Sequence, residues 1–500
     1  MTLRLHNTLT GTKEVFAPLE HGNVRMYTCG PTVWNFAHVG NLRAFLFYDL
    51  VRRHLHVSGY RVTHVMNLTD IDDRILDQAM HAGTTIEEYV KPYAEAFFED
   101  MAALRAERVE HYPRATEHIP EMVDMISTLI EHHYAYIADG DVYFRIDSFP
   151  KYGELSHLDR AGLKAGARVA QGGRGRKGSA RPAHGRETPR IQADKYEKES
   201  VSDFALWKKS HPEDENLGAS WDAPFGKGRP GWHIECSAMS KRYLGETLDI
   251  HAGGIDLMFP HHENEIAQSE AANHKTFARV WLHSEHLSDA TGEKMSKSAG
   301  VGFTTLRDLL AAGHDPLAVR MFLIANAHYR SRVRLSSEAL HAAAEQVRRL
   351  REFGDRLNRT APAGADDAEL ARRTADVRAG YREALDDDLN LPQGVGLVFD
   401  HLREANTALD AGRVGPLNRA SLQALLDDVD AHLDVIRAEE PGLAEEVERL
   451  IAEREEARKS RDFARADRIR EDLKARGIAL EDSKDGVRWR RVTPSGAERS

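Results

Sequence analysis

Residues 24–68 alternate strand and helix in a pattern that few architectures can satisfy. Val24-Arg25-Met26-Tyr27-Thr28 reads as a buried strand, and Gly30-Pro31 ends it. Across residues 38–56 apolar side chains recur at helical spacing (Val39, Leu42, Phe45, Leu46, Leu50), and Gly59 stops the helix. Residues 60–68 form a second strand, and Thr69-Asp70 opens the next helix. A strand, a crossover helix and a second strand return to one sheet as a right-handed parallel unit. The predicted fold is therefore α/β, a doubly wound parallel (Rossmann-type) sheet whose ligands gather at the carboxyl ends of the strands.

The remainder divides around that sheet. Thr85-Ile86-Glu87-Glu88 is a capping box ahead of a helix reaching Arg108, and a further helix covers 116–132. Residues 134–146 alternate around Asp139-Gly140, a hairpin signal. These pieces form an inserted helical and hairpin segment, about 112–200, between the two halves of the sheet. Strand patterns return at 247–251 and 278–283. The catalytic domain is thus expected over 1–310, with a junction at 311–335. Helical periodicity at 336–357, 368–385, 397–409 and 419–436 predicts an all-α bundle over 336–438. Past a Glu439-Glu440-Pro441-Gly442 linker, residues 442–500 read as a small C-terminal domain of two charged helices and a short hairpin. Residues 171–190, rich in Gly, Arg, Ala and Pro, read as a disordered surface insert whose Arg174, Arg176 and Lys177 can meet RNA.

Five hundred residues exceed one core and suggest several domains. The N-terminus lacks a basic stretch followed by an apolar run, and no apolar stretch is long enough to span a bilayer, so a cytoplasmic location and no membrane partner are expected. A net charge of −11 argues against a DNA-coating protein and leaves room for RNA on local basic patches. Nothing in the sequence demands a dimer, and a monomer is expected. Only two cysteines occur, Cys29 and Cys236, too few for a disulfide scaffold. They supply half of a four-ligand zinc site, and His261-His262-Glu263-Asn264-Glu265 can supply the rest.

Two further motifs carry chemistry. His38-Val39-Gly40-Asn41 opens the first long helix just past a parallel strand, where free N–H groups and the helix dipole favour an anion. Glu293-Lys294-Met295-Ser296-Lys297-Ser298 follows Thr291-Gly292, and its two lysines suit a polyphosphate clamp. Together they resemble the two signature motifs of class I aminoacyl-tRNA synthetases. The stretches YTCGPTVWNFAHVGN, NLTDIDDRI, GRPGWHIECSAM, DIHAGGIDLMFPHHENEIAQ and EKMSKS resemble the cysteinyl-tRNA synthetase family in particular. The likeness runs nearly the whole chain, to Gly486-Val487-Arg488-Trp489-Arg490-Arg491. One departure is visible: the first signature usually ends in a second histidine, and here Asn41 keeps a hydrogen-bond donor without a charge.

The resemblance implies ATP-dependent activation of L-cysteine and its transfer to tRNA(Cys), with Zn2+ on the enzyme and Mg2+ accompanying ATP. It maps the zinc ligands onto Cys29, Cys236, His261 and Glu265. The spacing agrees, because His261 and Glu265 are four apart after Pro260, which places both on one face of a first helical turn. It implies His38, Asn41, Lys294 and Lys297 as catalytic. For ATP it implies His38, Gly40, Gly254, Asp256 and Lys297, and for the amino-acid pocket Trp232 and Thr69. Asp70, Asp72 and Asp73 read as caps and structural acids. For tRNA, Arg330, Arg332, Trp489, Arg490 and Arg491 combine charge with stacking surface. Two other readings share part of this pattern. A ligase joining cysteine to an amino sugar has no use for a basic C-terminal domain. An inactive RNA-binding paralogue has only Asn41 in its favour.

Overall fold

The computed structural model describes residues 2–158, 203–288, 304–359, 365–437, 443–460, 462–475, 478–483 and 486–491. The insert 171–190 and the lysines Lys294 and Lys297 lie outside them. The chain forms two compact units, 1–344 with 381–394, and 345–380 with 395–500.

The first unit is built on four parallel strands in the order Ala278–Ser284, Leu248–Gly254, Asn23–Thr28, Arg61–Met66. The chain starts at Asn23–Thr28, steps to one side, and later returns on the other. That reversal opens a crevice at the carboxyl ends of Asn23–Thr28 and Leu248–Gly254, where ligands bind in such sheets. The crossover helix Val39–Val57 is buried around most of its circumference, Asp49, Arg52 and Arg53 included. Asp49 accepts from Arg53 at 2.8 Å and from Arg320 at 2.6 Å, while Arg52 forks onto Glu110 at 2.6 and 2.7 Å. Bidentate pairing of this kind offsets the cost of burying the charges.

An antiparallel pair, Arg4–Asn7 with Thr12–Val15, lies N-terminal to the sheet. The Asn7 side chain bonds the Arg279 carbonyl at 2.9 Å and the Trp281 amide at 3.0 Å, which satisfies the outer edge of Ala278–Ser284. The predicted hairpin is present as Ala135–Ala138 and Asp141–Phe144. It continues into a four-stranded antiparallel sheet through Phe204–Lys209 and Gly228–Pro230, which the sequence did not suggest.

Several boundaries differ from expectation, two of them close to the crevice or its flanking helices. The helix expected at Thr69-Asp70 begins at Asp73, capped by Asp72, because Thr69 bridges to Thr32 and stays extended. The capping-box helix ends at Ala103, short of Arg108.

In the second unit the described residues form helices joined by turns up to the C-terminal hairpin. Helices Leu443–Lys459 and Phe463–Ala475 join the hairpin Ile478–Ser483/Gly486–Arg491 around Val447, Ile451, Leu473 and Ile478. Among the described residues no helix is long and apolar enough to cross a membrane.

Candidate metal centre

Four donors converge at the crevice. Cys29 directly follows Asn23–Thr28, and its amide bonds the Ala252 carbonyl of the neighbouring strand at 3.3 Å. Gly30 must be glycine, since a Cβ there would stand 1.8 Å from the Asn67 carbonyl oxygen. Cys236 sits in the second turn of helix Trp232–Leu244. His261 belongs to the π-helical turn Met258–His262 that leads into helix Glu263–Asn273, so the helix starts later than Pro260 suggested. His261 and Glu265 nevertheless share a face, with Nε2 and Oε1 3.0 Å apart.

One donor atom each from Cys29, Cys236, His261 and Glu265 lies within 4.8 Å of every other, and all four residues are buried. The two Sγ atoms are 4.0 Å apart, and Cys29 Sγ is 3.6 Å from Glu265 Oε1. An ion bound tetrahedrally at about 2.0–2.3 Å holds its ligands roughly 3.3–3.8 Å apart, close to these spacings. The buried Cys/His/Glu cluster therefore fits a metal site. A second set, Cys29, His251, His262 and Glu265, meets the same distance criterion. Only the first contains two thiols. Its imidazole is also held from behind, His261 Nδ1 lying 2.9 Å from His233 Nδ1 and Trp232 stacking on the ring at 4.3 Å.

The cluster is electrostatically primed. Burial pushes the Cys29 thiol well above its ordinary value, and the neighbouring Cys236 and Glu265 push it further. Burial works in the same direction on Cys236, but the hydrogen bond from Cys29 and the His261 ring bring it down to about 6. Against burial, Glu265 and Cys236 raise His261 to about 10. Also against burial, His251 and His261 hold Glu265 well below the usual carboxylate range. One thiol of the pair is thus favoured as thiolate beside a carboxylate and a protonated His261, and binding a metal displaces the remaining protons.

Around this set lie His251 and His283, which sequence reasoning missed, and His262, which it offered with the 261–265 run but gave no role. His251 Nε2 is 2.8 Å from Glu265 Oε2, and His262 Nδ1 is 2.8 Å from His283 Nε2. His262 is so enclosed that a Cβ on Gly253 would come within 2.3 Å of its ring. The only signal was their position near the ends of two adjacent strands, and 26 histidines in the chain gave no way to select them.

The first signature turn sits at the same sheet edge. His38 caps helix Val39–Val57, its Nδ1 accepting from the Asn41 amide at 3.1 Å, while Asn41 Oδ1 accepts from the His38 amide at 3.3 Å. Asn41 thus completes a capping box. A Cβ on Gly40 would meet the His38 ring at 2.9 Å, so the group that comes close to Gly40 is His38 itself. Val39 donates to the Thr304 carbonyl at 2.9 Å, and His38 bridges to Thr305. The chain just beyond the second signature is thereby brought to the first. Gly254 ends its strand, and Asp256 folds back so that a Cβ on Gly254 would lie 2.7 Å from its carboxylate.

Thr69 is buried, and its hydroxyl donates to Glu235 at 2.9 Å. Burial pushes Glu235 well above the usual carboxylate range, with Cys236 adding to the shift and Thr69 opposing it. The three acids are structural. Asp70 accepts from Thr116 at 2.7 Å, Asp72 caps its helix, and Asp73 pairs with Lys208 and Arg229. Of the expected RNA contacts, Arg330 is held by Asp388 at 2.9 Å, and Arg332 is exposed with Glu285 at 3.5 Å. Trp489 packs on the small C-terminal core and donates to Glu448 at 3.2 Å. Arg490 and Arg491 lie in the last strand.

Comparison with known proteins agrees along the chain. The family model described as the class I (C) tRNA synthetase catalytic domain matches residues 15–345. A DALR domain matches 380–435, and a cysteinyl-tRNA ligase anticodon binding domain matches 440–490. A protein named cysteine–tRNA ligase from Solibacter usitatus is 47% identical over 98% of this chain and 100% of its own length. One of the same name from Geobacillus thermodenitrificans is 43% identical over 98% and 99%. Among solved structures, a Mycobacterium tuberculosis methionyl-tRNA synthetase with methionyl-adenylate aligns at TM-score 0.58 and 15% identity, covering 83% of this chain and 91% of that one. A leucyl-tRNA synthetase ternary complex from Agrobacterium radiobacter aligns at 0.59 and 12%, covering 84% and 85%. These two carry the fold alone.

Proposed function

From its membership of the cysteine–tRNA ligase family, to which this chain belongs, we infer that it activates L-cysteine with ATP and transfers the cysteinyl group to tRNA(Cys). The observation that carries the reading is the convergence of two thiols, one from each half of the sheet, with His261 and Glu265 in a single buried cluster. Zn2+ suits two thiolates, an imidazole and a carboxylate, and when bound it supplies a Lewis acid that takes a substrate thiol as thiolate and a hydroxyl poorly. That distinction matters because an apolar pocket separates near-isosteres such as cysteine and serine by only about 10–200-fold.

The chain's own residues then bind and orient. Trp232, stacked on His261, closes one wall of the amino-acid pocket, and Thr69 forms another. In the first step a carboxylate oxygen of cysteine attacks the α-phosphorus of ATP. The bond to the bridging oxygen breaks, and pyrophosphate leaves. The nucleophile is already ionised, so no general base is needed. His38, the N-terminus of helix Val39–Val57, Lys294 and Lys297 stabilise the charge on the phosphates, with Mg2+ accompanying ATP. Gly254 leaves room for Asp256 to fold back, and Asp256 accepts from ribose hydroxyls. In the second step a hydroxyl of the terminal adenosine of tRNA takes the cysteinyl group and AMP leaves. We read the chain as a monomer, with Arg330, Arg332, Trp489, Arg490 and Arg491 serving the RNA side.

Cysteine-dependent ATP–pyrophosphate exchange, with serine as control and tRNA charging as the second readout, tests this function. Exchange with cysteine and not serine, followed by charging, is expected. No exchange would defeat the reading, and exchange without charging would replace it with a ligase for another cysteine acceptor.

A further inference from the structure

The turn that joins helices Ala368–Asp386 and Leu391–Asp410 holds two residues in the left-handed region, Asp388 at φ 68° and Leu389 at φ 55°. That region is costly for a residue with a side chain, so such a turn persists where its surroundings fix it. Asp388 is 1% exposed, and both oxygens of its carboxylate meet donors. Oδ1 accepts from the His6 amide at 2.8 Å and the Tyr329 hydroxyl at 2.7 Å. Oδ2 accepts from Arg330 Nε at 3.0 Å and Nη2 at 2.9 Å. The His328 ring bonds the Asp388 carbonyl at 2.8 Å. Residues 328, 329 and 330 of the junction thus all end on one residue.

The same stretch is gripped a second time. Arg43, buried on helix Val39–Val57, donates from Nη2 to the carbonyls of His328 at 3.3 Å and Ser331 at 2.6 Å, and from Nη1 to those of Glu285 at 3.0 Å and His286 at 2.9 Å. Just beyond, Val333-Arg334 pairs in parallel with Leu287-Ser288. The backbone is therefore held on both sides of residue 332. The Arg332 side chain is 72% exposed, and its ion pair with Glu285 at 3.5 Å holds it weakly. Arg330 and Arg332 differ in consequence. Two nitrogens of Arg330 are spent on a buried carboxylate. Arg332 is a solvent-facing cation on a fixed backbone, the form in which a protein neutralises RNA phosphates, and fixing the backbone beforehand removes part of the ordering cost of binding.

We propose that Asp388 is a positioning residue for tRNA, locking the junction through His328, Tyr329 and Arg330 so that Arg332 meets the RNA sugar–phosphate backbone. The proposal rests on the reading that the junction serves the RNA side. It gives Arg330 to the lock and Arg332 to the contact. Net charge alone leads to the opposite expectation: Asp388 offsets Arg330, so removing its charge would make this surface more positive and tighten RNA binding.

The test uses the metal-loaded full chain and tRNA(Cys). Asp388→Asn keeps the shape, but its NH2 faces donors whichever way the amide turns. The KM for tRNA in charging should rise roughly 10-fold, the loss of one charge-assisted hydrogen bond. The KM for cysteine in pyrophosphate exchange without tRNA should stay unchanged. Tyr329→Phe removes a single donor and keeps the ring stacked on Phe47 at 4.3 Å, so it serves even where D388N does not fold. It should raise the KM for tRNA about 3-fold, again with exchange unchanged. Arg332→Ala should lower the slope of log tRNA affinity against log salt by about one. The double variant D388N/R332A should bind tRNA no worse than R332A, because Asp388 acts through Arg332. Tighter tRNA binding in D388N, a normal KM for tRNA in Y329F, exchange falling in parallel with charging, or additive losses in the double variant would overturn the proposal. A wild-type chain that exchanges with cysteine and charges no tRNA would instead overturn the RNA reading on which it rests.

Discussion

Two overlapping donor sets share Cys29 and Glu265, and substitution at the residues they do not share separates them. The set assigned here adds Cys236 and His261, while the rival adds His251 and His262. Zinc held by four such ligands is worth about 10–16 kcal/mol, so one ligand carries about 3–4 kcal/mol if the contributions are even. Cys236→Ser should therefore weaken zinc binding by roughly 100- to 1000-fold. His262→Gln removes a ring that lies 3.3 Å from Cys29 Sγ and 2.8 Å from His283, yet belongs only to the rival set. It should leave zinc affinity nearly unchanged. The assay is competition against a chromophoric chelator, with circular dichroism confirming that both variants are folded. Zinc lost from His262→Gln and kept by Cys236→Ser would refute the assignment and give the metal to the rival set.

Other substitutions probe how the site is supported. Gly30→Ala places a Cβ 1.8 Å from the Asn67 carbonyl, backbone that cannot step aside, so a loss of about 1–3 kcal/mol is expected with cysteine activation falling in parallel; unchanged thermal stability would contradict the close approach. Burial, with Arg52 adding to it, lowers His64 to about 3. The folded value lies below the unfolded one near 6.5, so unfolding takes up a proton as the pH falls between them. His64's contribution is thus full above pH 6.5 and smaller by about 2 kcal/mol at pH 5. Urea unfolding at pH 7 and pH 5 should show a shallower loss in His64→Gln than in wild type; equal losses would count against a neutral buried His64. Trp489→Ala should destabilise the C-terminal core by about 3 kcal/mol, while Trp489→Phe keeps most of it; an alanine variant with unaltered stability and reduced tRNA affinity would make Trp489 an RNA contact alone.

Local periodicity and turn chemistry made much of the sheet legible. The strand ending at Thr28, the helix after His38 and the strand before Leu68 all lie where apolar spacing and Gly30-Pro31 and Gly59 put them. The start of the next helix was misread because Thr69, Asp70 and Asp72 are all good cap residues. A tertiary bridge to Thr32, invisible in sequence, keeps Thr69 extended and leaves the cap to Asp72. Strand Gly228–Pro230 carries no strand signal of its own and exists because it pairs with Phe204–Lys209. The four residues that converge could be named as candidate donors because cysteine is scarce and their flanking motifs resemble a family. The histidines behind them could not, because their roles arise only when Leu248–Gly254 and Ala278–Ser284 lie side by side.

The two ends of the site are built differently, and the chemistry explains why. Telling cysteine from serine depends on one atom, so the sulfur-reading end needs donors that do not shift. Its donors come from a strand end, a helix and a helical turn, all buried, and three of the four are backed by a further partner: Ala252 behind Cys29, His233 behind His261, His251 behind Glu265. The phosphate end has a different demand, since it must stabilise charge that grows during the reaction and then release pyrophosphate. There the first signature turn holds itself through the His38–Asn41 box and meets Thr304 and Thr305, the foot of the segment that carries Lys294 and Lys297. Asn41 fits this division. In the position where the family usually has a second histidine, it serves the cap through its amide oxygen, a task that needs no charge. On the proposed roles, the positive charge at this end falls to the helix terminus and the two lysines, so loss of Lys294 or Lys297 should be felt in the rate of adenylation and not in the choice between cysteine and serine.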